Sequence, residues 1–354
     1  MGGPLRNLMV TSVFVVMIFT LANGDALVPA LYIFGDSVVD VGNNNNRTTL
    51  IKANFYPYGR DFVTHKPTGR FCNGKLATDF TAENLGFTTY PPAYFSPEAK
   101  GSNILTGVNF ASAASGLFDR TSRLYRAIAL PEQLENYKDY QKTLVRMVGK
   151  SNATSIISGS IYLLSAGSSD FVQNYYINPL LNGPYTPDQY SDMLMNSFST
   201  FVQNLYKLGA RKIGVTSLPP LGCLPAAITL FGTLGSSQCV PRLNRDATAF
   251  NNKLNSTAIA LQSRLPGLVM VVFDIYTPLY SFVTRPTDNG FFEARKACCG
   301  TGTLETAFLC NDRSVGTCMN ATEYVFWDGF HPSEAANKML ADVLLLQGIP
   351  LISG

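Results

Sequence analysis

Short apolar runs alternate with amphipathic stretches of helical length along nearly the whole chain, and this alternation limits the fold more than any other feature. Ala30 to Phe34, Val108 to Ala111, Ser160 to Ser165, Lys212 to Thr216 and Leu268 to Ile275 read as buried strands. Between them lie helical patterns. One begins near Lys75, carries Leu76, Phe80 and Leu85, and stops at Gly86. Another begins near Pro131 and carries Leu134, Tyr137, Leu144, Val145 and Val148. Thr186-Pro187-Asp188-Gln189 has the form of a capping box with proline at the first helical position, and an apolar stripe from Tyr190 to Leu208 follows before Gly209. Further helices are predicted from Pro241 to Leu265 and from Ser333 to Gln347. Strands joined by connections of helical length run parallel, which predicts an α/β fold with a doubly wound sheet. No repeat, charge run or proline linker divides residues 27–354, so a single domain is expected.

At 354 residues the chain can bury a large core. Lys and Arg exceed Asp and Glu by only 27 − 24 = 3, so no electrostatic footprint for nucleic acid is present. Arg6 precedes a run from Leu8 to Ala22 interrupted only by Thr and Ser, followed by Gly24. This is the pattern of a secretory signal over residues 1–26, too short for an anchor and without a basic stop on its far side. No later segment has transmembrane length, so no membrane span is expected after signal removal. Export gives the cysteines a meaning. Cys223 and Cys239 are expected to close a short loop. Cys298, Cys299, Cys310 and Cys318 supply two further bridges in any of three pairings, and Cys72 is left as a buried free thiol. Asn46, Asn152, Asn255 and Asn320 each open an Asn-x-Ser/Thr glycosylation sequon.

The chemistry is expected where strands end. In open α/β sheets ligands bind at the carboxyl edge, where strand order reverses. The first strand ends in Gly35-Asp36-Ser37. The second runs into Ser112-Ala113-Ala114-Ser115-Gly116, small residues suited either to close packing or to a backbone N–H site. The third runs into Gly167-Ser168-Ser169-Asp170. A serine nucleophile needs a base, and the chain has only His65 and His331. His65 lies in a polar loop and reads as exposed. His331 follows Asp328 by three residues, a spacing that lets the carboxylate hold one ring nitrogen and leaves the other for Ser37. No G-x-S-x-G elbow, H-E-x-x-H, Walker A or G-x-G-x-x-G motif competes.

Phe34-Gly35-Asp36-Ser37, Asn109 to Gly116, and Asp328-Gly329-Phe330-His331-Pro332 together resemble the blocks of the plant GDSL esterase/lipases, within the SGNH hydrolase superfamily. Lys212 to Val215, Pro219 to Cys223 and Tyr324 to Asp328 share the resemblance. It implies a three-layer α/β/α fold around a five-stranded parallel sheet and an acyl-ester hydrolase needing neither metal nor organic cofactor. Ser37 matches the nucleophile, His331 the base and Asp328 its orienting partner. The backbone N–H groups of Ser37 and Gly116 match two oxyanion-hole donors. The family's third block usually reads Gly-x-Asn-Asp, with the Asn side chain as third donor, whereas this chain has Ser169 there.

The leading expectation is therefore a secreted serine esterase or lipase acting on a small or polymeric acyl ester. A binding or structural glycoprotein on a hydrolase fold is the alternative that the Ser169 departure raises, and acyl transfer by the same triad is a third.

Overall fold

The computed structural model describes residues 26–233, 235 and 237–353; the signal segment expected over residues 1–26 lies, but for its last residue, outside them. The central sheet is parallel and contains β1 (Leu31–Gly35), β2 (Ile161–Ser165), β3 (Lys212–Thr216) and β4 (Val269–Phe273), in that spatial order. The first of the intervening helices, α1 (Ala77–Asn84) and α2 (Leu130–Val148), precede β2. A short α3 (Ser168–Val172) follows β2 directly, and α4 (Pro187–Lys207) and α5 (Pro241–Arg264) flank β3. After β4 come α6 (Tyr276–Thr284), a small parallel pair β5 (Glu293–Ala297) and β6 (Tyr324–Phe326), and the closing helices α7 (Glu334–Gln347) and α8 (Ile349–Ser353).

The expected fifth strand needs correction. Residues 106–112 lie beside β1 and exchange hydrogen bonds with it on alternate residues: Leu31 and Ile33 donate to Thr106 and Val108, while Phe110 and Ser112 donate to Ile33 and Gly35. Yet the segment forms two isolated bridges, both at Asn109, one to Ile33 and one to Ala93. The ladder is cut short where the Gly35 N–H donates to Gln133 Oε1 and not to the edge segment. The Asn109 Nδ2 donates to the Val39 carbonyl and its Oδ1 accepts the Ala111 N–H, which ties the edge segment to the loop after Ser37. Counting this edge segment second in chain order, the spatial order becomes 2-1-3-4-5. The reversal then falls beside β1, where Ser37 emerges.

Alternate residues of each strand face opposite layers. Tyr32, Phe34, Tyr162, Leu164, Ile213 and Val215 enter the larger core, shared with α2, α4 and α5. Tyr32 packs edge-on against Tyr137 and Tyr140 of α2. Leu31, Ile33 and Ile161 face a smaller core with Ala82 and Leu85 at α1 and Leu351 of α8. Helices form where the periodicity predicts. The Thr186 hydroxyl accepts the Gln189 N–H while the Gln189 side chain accepts the Thr186 N–H, starting α4. Ser333 caps α7 by accepting from Ala336.

Three disulfides staple the chain. Cys223–Cys239 forms as expected, and the two remaining bridges are Cys298–Cys318 and Cys299–Cys310. Cys72 is buried and unpaired, and burial pushes its thiol far above the usual range, so it is held as an inert thiol.

Candidate active site

Gly35 closes β1 with φ +136°, and a Cβ there would sit 1.9 Å from the Ser165 carbonyl oxygen of β2. Only glycine lets the chain leave the sheet this tightly. Gln133 of α2 fixes the turn from below: its Oε1 accepts the Gly35 N–H and its Nε2 donates to the Gly35 carbonyl, both at 2.9 Å. Asp36 N–H donates to Ser165 O, and the Asp36 carboxylate accepts the Val38 N–H, which arches the backbone around Ser37. Burial pushes the Asp36 carboxyl up to about 7, against the opposing pull of that hydrogen bond and of His331.

The partner side chains come from the turn between β6 and α7. Trp327 N–H donates to the His331 carbonyl and closes it. Asp328 Oδ1 accepts the N–H groups of Phe330 and His331 at 2.9 Å, an Asx-type turn that aims the imidazole. His331 Nδ1 lies 2.7 Å from Asp328 Oδ1, and His331 Nε2 lies 2.7 Å from Ser37 Oγ. With the carboxylate at Nδ1, the neutral ring keeps its proton there and presents Nε2 as acceptor to the serine hydroxyl. Asp328 is fully buried and His331 and Ser37 are 2% and 4% exposed, so only the reacting edge faces outward. His65 stands apart, exposed, with its ring against the Arg60 carbonyl.

The second carboxylate oxygen of Asp328 has its own partner. Tyr58 donates its hydroxyl to Asp328 Oδ2 at 2.7 Å and accepts the Ala307 N–H at 2.9 Å. Burial and the neighbouring carboxylate hold the Tyr58 phenol well above its ordinary range, so it remains a donor. Ala307 belongs to the loop closed by Cys299–Cys310, and Glu305 in the same loop accepts the Gly329 N–H. No sequence pattern identifies Tyr58: a lone tyrosine in a loop rich in Pro and Gly carries no spacing signal.

The N–H groups of Ser37 and Gly116 have no acceptor among the described residues, and neither does the Ser169 hydroxyl, although Ser169 is buried at the start of α3. Gly116 and Ser169 are held together by Asp170. Its carboxylate accepts from the N–H groups of Leu117 and Phe118 and from the Thr121 hydroxyl, and burial pushes it up to about 7. A Cβ on Gly116 would lie 2.2 Å from Asp170 Oδ1, so glycine is required at this position. The small-residue run is therefore both closely packed and a source of a free N–H. Its clamp is polar: Asp40 Oδ2 accepts the Ala113 N–H, Asn43 Nδ2 donates to the carbonyls of Asn109 and Ala111, and Asn44 Nδ2 donates to that of Ala113. The asparagine-rich loop thus ties the edge segment to β1. The four sequon asparagines, Asn46, Asn152, Asn255 and Asn320, are all exposed.

Residues 31–344 match the family described as GDSL-like Lipase/Acylhydrolase. The chain is 69% identical over 330 residues to GDSL esterase/lipase At5g03810 of Arabidopsis thaliana, covering 93% of this chain and 94% of the relative. It is 66% identical to GDSL esterase/lipase At5g03820 and 65% identical to GDSL esterase/lipase At5g22810, both of Arabidopsis thaliana. The first alignment covers 98% of both chains, and the second covers 98% of this chain and 96% of the relative. The chain belongs to the GDSL-like lipase/acylhydrolase family, and with it to a class of carboxylic ester hydrolases.

Proposed function

We propose that this protein is a secreted esterase or lipase that cleaves acyl esters through Ser37, His331 and Asp328 by way of an acyl-enzyme. Ser37 Oγ attacks the ester carbonyl while His331 Nε2 takes its proton; the protonated ring then returns that proton to the leaving alkoxide, releasing an alcohol. Water, deprotonated by the same nitrogen, attacks the acyl-serine and frees the acid. The carbonyl oxygen, negative in each tetrahedral intermediate, is received by the Ser37 and Gly116 N–H groups with the Ser169 hydroxyl beside them. The observation that carries this reading is the unbroken pair of 2.7 Å contacts from Asp328 through His331 to Ser37. Three disulfides, four exposed sequons and the apolar leader favour an exported protein, and no helix among the described residues is long and apolar enough to cross a membrane. Residues 27–354 are read as one catalytic domain.

A fluorophosphonate probe tests the reading against that of a mere binding glycoprotein. An activated Ser37 is expected to form a covalent adduct that peptide mapping assigns to residues 35–37. An unlabelled folded protein refutes the proposal.

Ser169 makes a second prediction. Its hydroxyl is shorter than the amide usual at this position and offers one donor. Removing such a donor commonly costs on the order of 10²–10³ in rate. Ser169→Asn is therefore expected to raise kcat for p-nitrophenyl butyrate about 10-fold or more, with KM little changed. An unchanged or lower kcat means that the surrounding structure has adapted to serine.

A further inference from the structure

A polar side chain stands on the apolar face of α2. Leu130, Leu134, Tyr137, Tyr140 and Leu144 mark that face, and Gln133 lies among them, fully buried. Burying a primary amide is unfavourable unless its polar groups are paired, and both ends of this one are. Its Oε1 accepts the Gly35 N–H at 2.9 Å. Its Nε2 faces three oxygens: the Gly35 carbonyl at 2.9 Å, Ser115 Oγ at 3.1 Å and the Ile128 carbonyl at 3.2 Å. The reverse orientation would set the amide oxygen against two carbonyls and the NH₂ against an N–H, so the network fixes which way the amide points.

These contacts join the two segments that carry the proposed oxyanion donors. Gly35 lies two residues before Ser37, and Ser115 immediately precedes Gly116. Among the described residues no other side chain bonds both Gly35 and Ser115. Asp40, Asn43 and Asn44 clamp the small-residue run upstream, between Asn109 and Ala113, and Asp170 clamps Leu117 and Phe118 downstream. Gln133 acts between those clamps, beside Gly116 itself, from the first turns of a 19-residue helix. Two N–H groups from separate segments stabilise one developing anion only if both converge on the same point. A displacement of about 1 Å can cost on the order of 10² in rate. None of the bonds made by Gln133 reaches Asp328, His331 or Ser37 Oγ, so its influence falls on the donors and not on the proton relay.

We propose that Gln133 is a positioning residue of the oxyanion hole, its amide setting the Gly116 N–H against the Ser37 N–H. This inference rests on the hydrolase reading above and adds to it a residue that acts without touching substrate.

The test compares turnover of p-nitrophenyl butyrate with inhibition by trifluoroacetone. Ser37 Oγ adds to the ketone carbon, its proton passes to His331 Nε2, and the former carbonyl oxygen becomes an anion in the hole. Gln133→Met, close in size but without the amide, is expected to lower kcat about 10–100-fold and to weaken the ketone by a similar factor. KM is expected to stay within about threefold of the parent, and the pH at which the rate is half-maximal is expected not to move, because the contacts of His331 are untouched. Gln141→Met is the control for mere loss of stability. It removes bonds from the same helix to the Tyr137 hydroxyl and the Leu208 carbonyl, and it is expected to keep parental kcat even if it melts earlier. Ser115→Ala removes one of the Gln133 contacts, and a several-fold fall in kcat with a matching loss of ketone affinity is expected; this variant carries the test if Gln133→Met does not fold. Combined with Gln133→Met it is expected to add less than its effect alone, since both changes break the same bond. A folded Gln133→Met protein with parental kcat, a fall in kcat without loss of ketone affinity, or a Ser115→Ala protein indistinguishable from the parent overturns the role of Gln133. An active parent with unaffected variants removes this role alone, whereas a parent that neither turns over the ester nor labels with fluorophosphonate removes the hydrolase reading as well.

Discussion

Ser37→Ala is expected to reduce turnover of short-chain p-nitrophenyl esters by roughly 10⁴–10⁶-fold, because members of such a triad act as a unit and losing the nucleophile removes the covalent route. The fold is expected to survive. Among the described residues Ser37 Oγ bonds only His331 Nε2, and His331 stays anchored by Asp328 and by the backbone of its own turn. The acceptor left unpaired costs about 1–3 kcal/mol at most, less where the reacting edge meets water. Thermal melts should therefore show a single transition within several degrees of the parent, with fluorophosphonate labelling abolished. A well-folded Ser37→Ala protein that retains full turnover refutes the assignment of the nucleophile.

Asp328→Asn is expected to lower kcat by about 10³–10⁴-fold with a much smaller change in KM. The direction follows from which atoms surround each oxygen. Three donors converge on Oδ1, from Phe330 N–H, His331 N–H and the His331 ring. An amide must keep its oxygen there, which turns its NH₂ toward Tyr58. Tyr58 Oη already accepts the Ala307 N–H and now loses its own acceptor. The variant thus removes the negative charge that stabilises the imidazolium as it forms, and it also strands a buried phenolic proton. Tyr58→Phe separates the two effects. It keeps the carboxylate and is expected to cost about 1–3 kcal/mol in stability by orphaning the Ala307 N–H, with only a modest fall in kcat. A large kcat loss in Asp328→Asn beside a small one in Tyr58→Phe assigns the catalytic effect to charge. Equal losses assign it to positioning.

Much of this arrangement is legible in the sequence because its signals are local. The cap at Thr186 and the stripe that follows specify α4 without reference to any other segment, and Pro241 with the stripe from Leu243 to Leu261 does the same for α5. Asp328 and His331 lie in one turn, so their spacing alone suggests their contact. The scarcity of histidine then leaves Ser37 few possible bases. What stays hidden is carried by single polar side chains acting over long sequence distances. Gln133 lies on an otherwise ordinary amphipathic helix yet brackets Gly35, and Tyr58 reaches Asp328 across 270 residues. Asp40 and Asp170 look like loop acids but satisfy backbone N–H groups around Ala113 and Gly116. Helices such as Asp119–Tyr125 and Lys150–Gly159 are short and weakly amphipathic, and tertiary packing decides them. Val108 to Ala111 reads as a strand by its apolar residues, yet it pairs through isolated bridges because the Gly35 N–H turns to Gln133. Of the three pairings open to the last four cysteines, nothing in their spacing selects the one adopted.

Ser37 and His331, the proposed nucleophile and base, are separated by 294 positions along the polypeptide. On the proposed mechanism, a ribosome must therefore synthesise almost the entire chain before the site can form, and a prematurely terminated product carries the serine without the imidazole that would activate it.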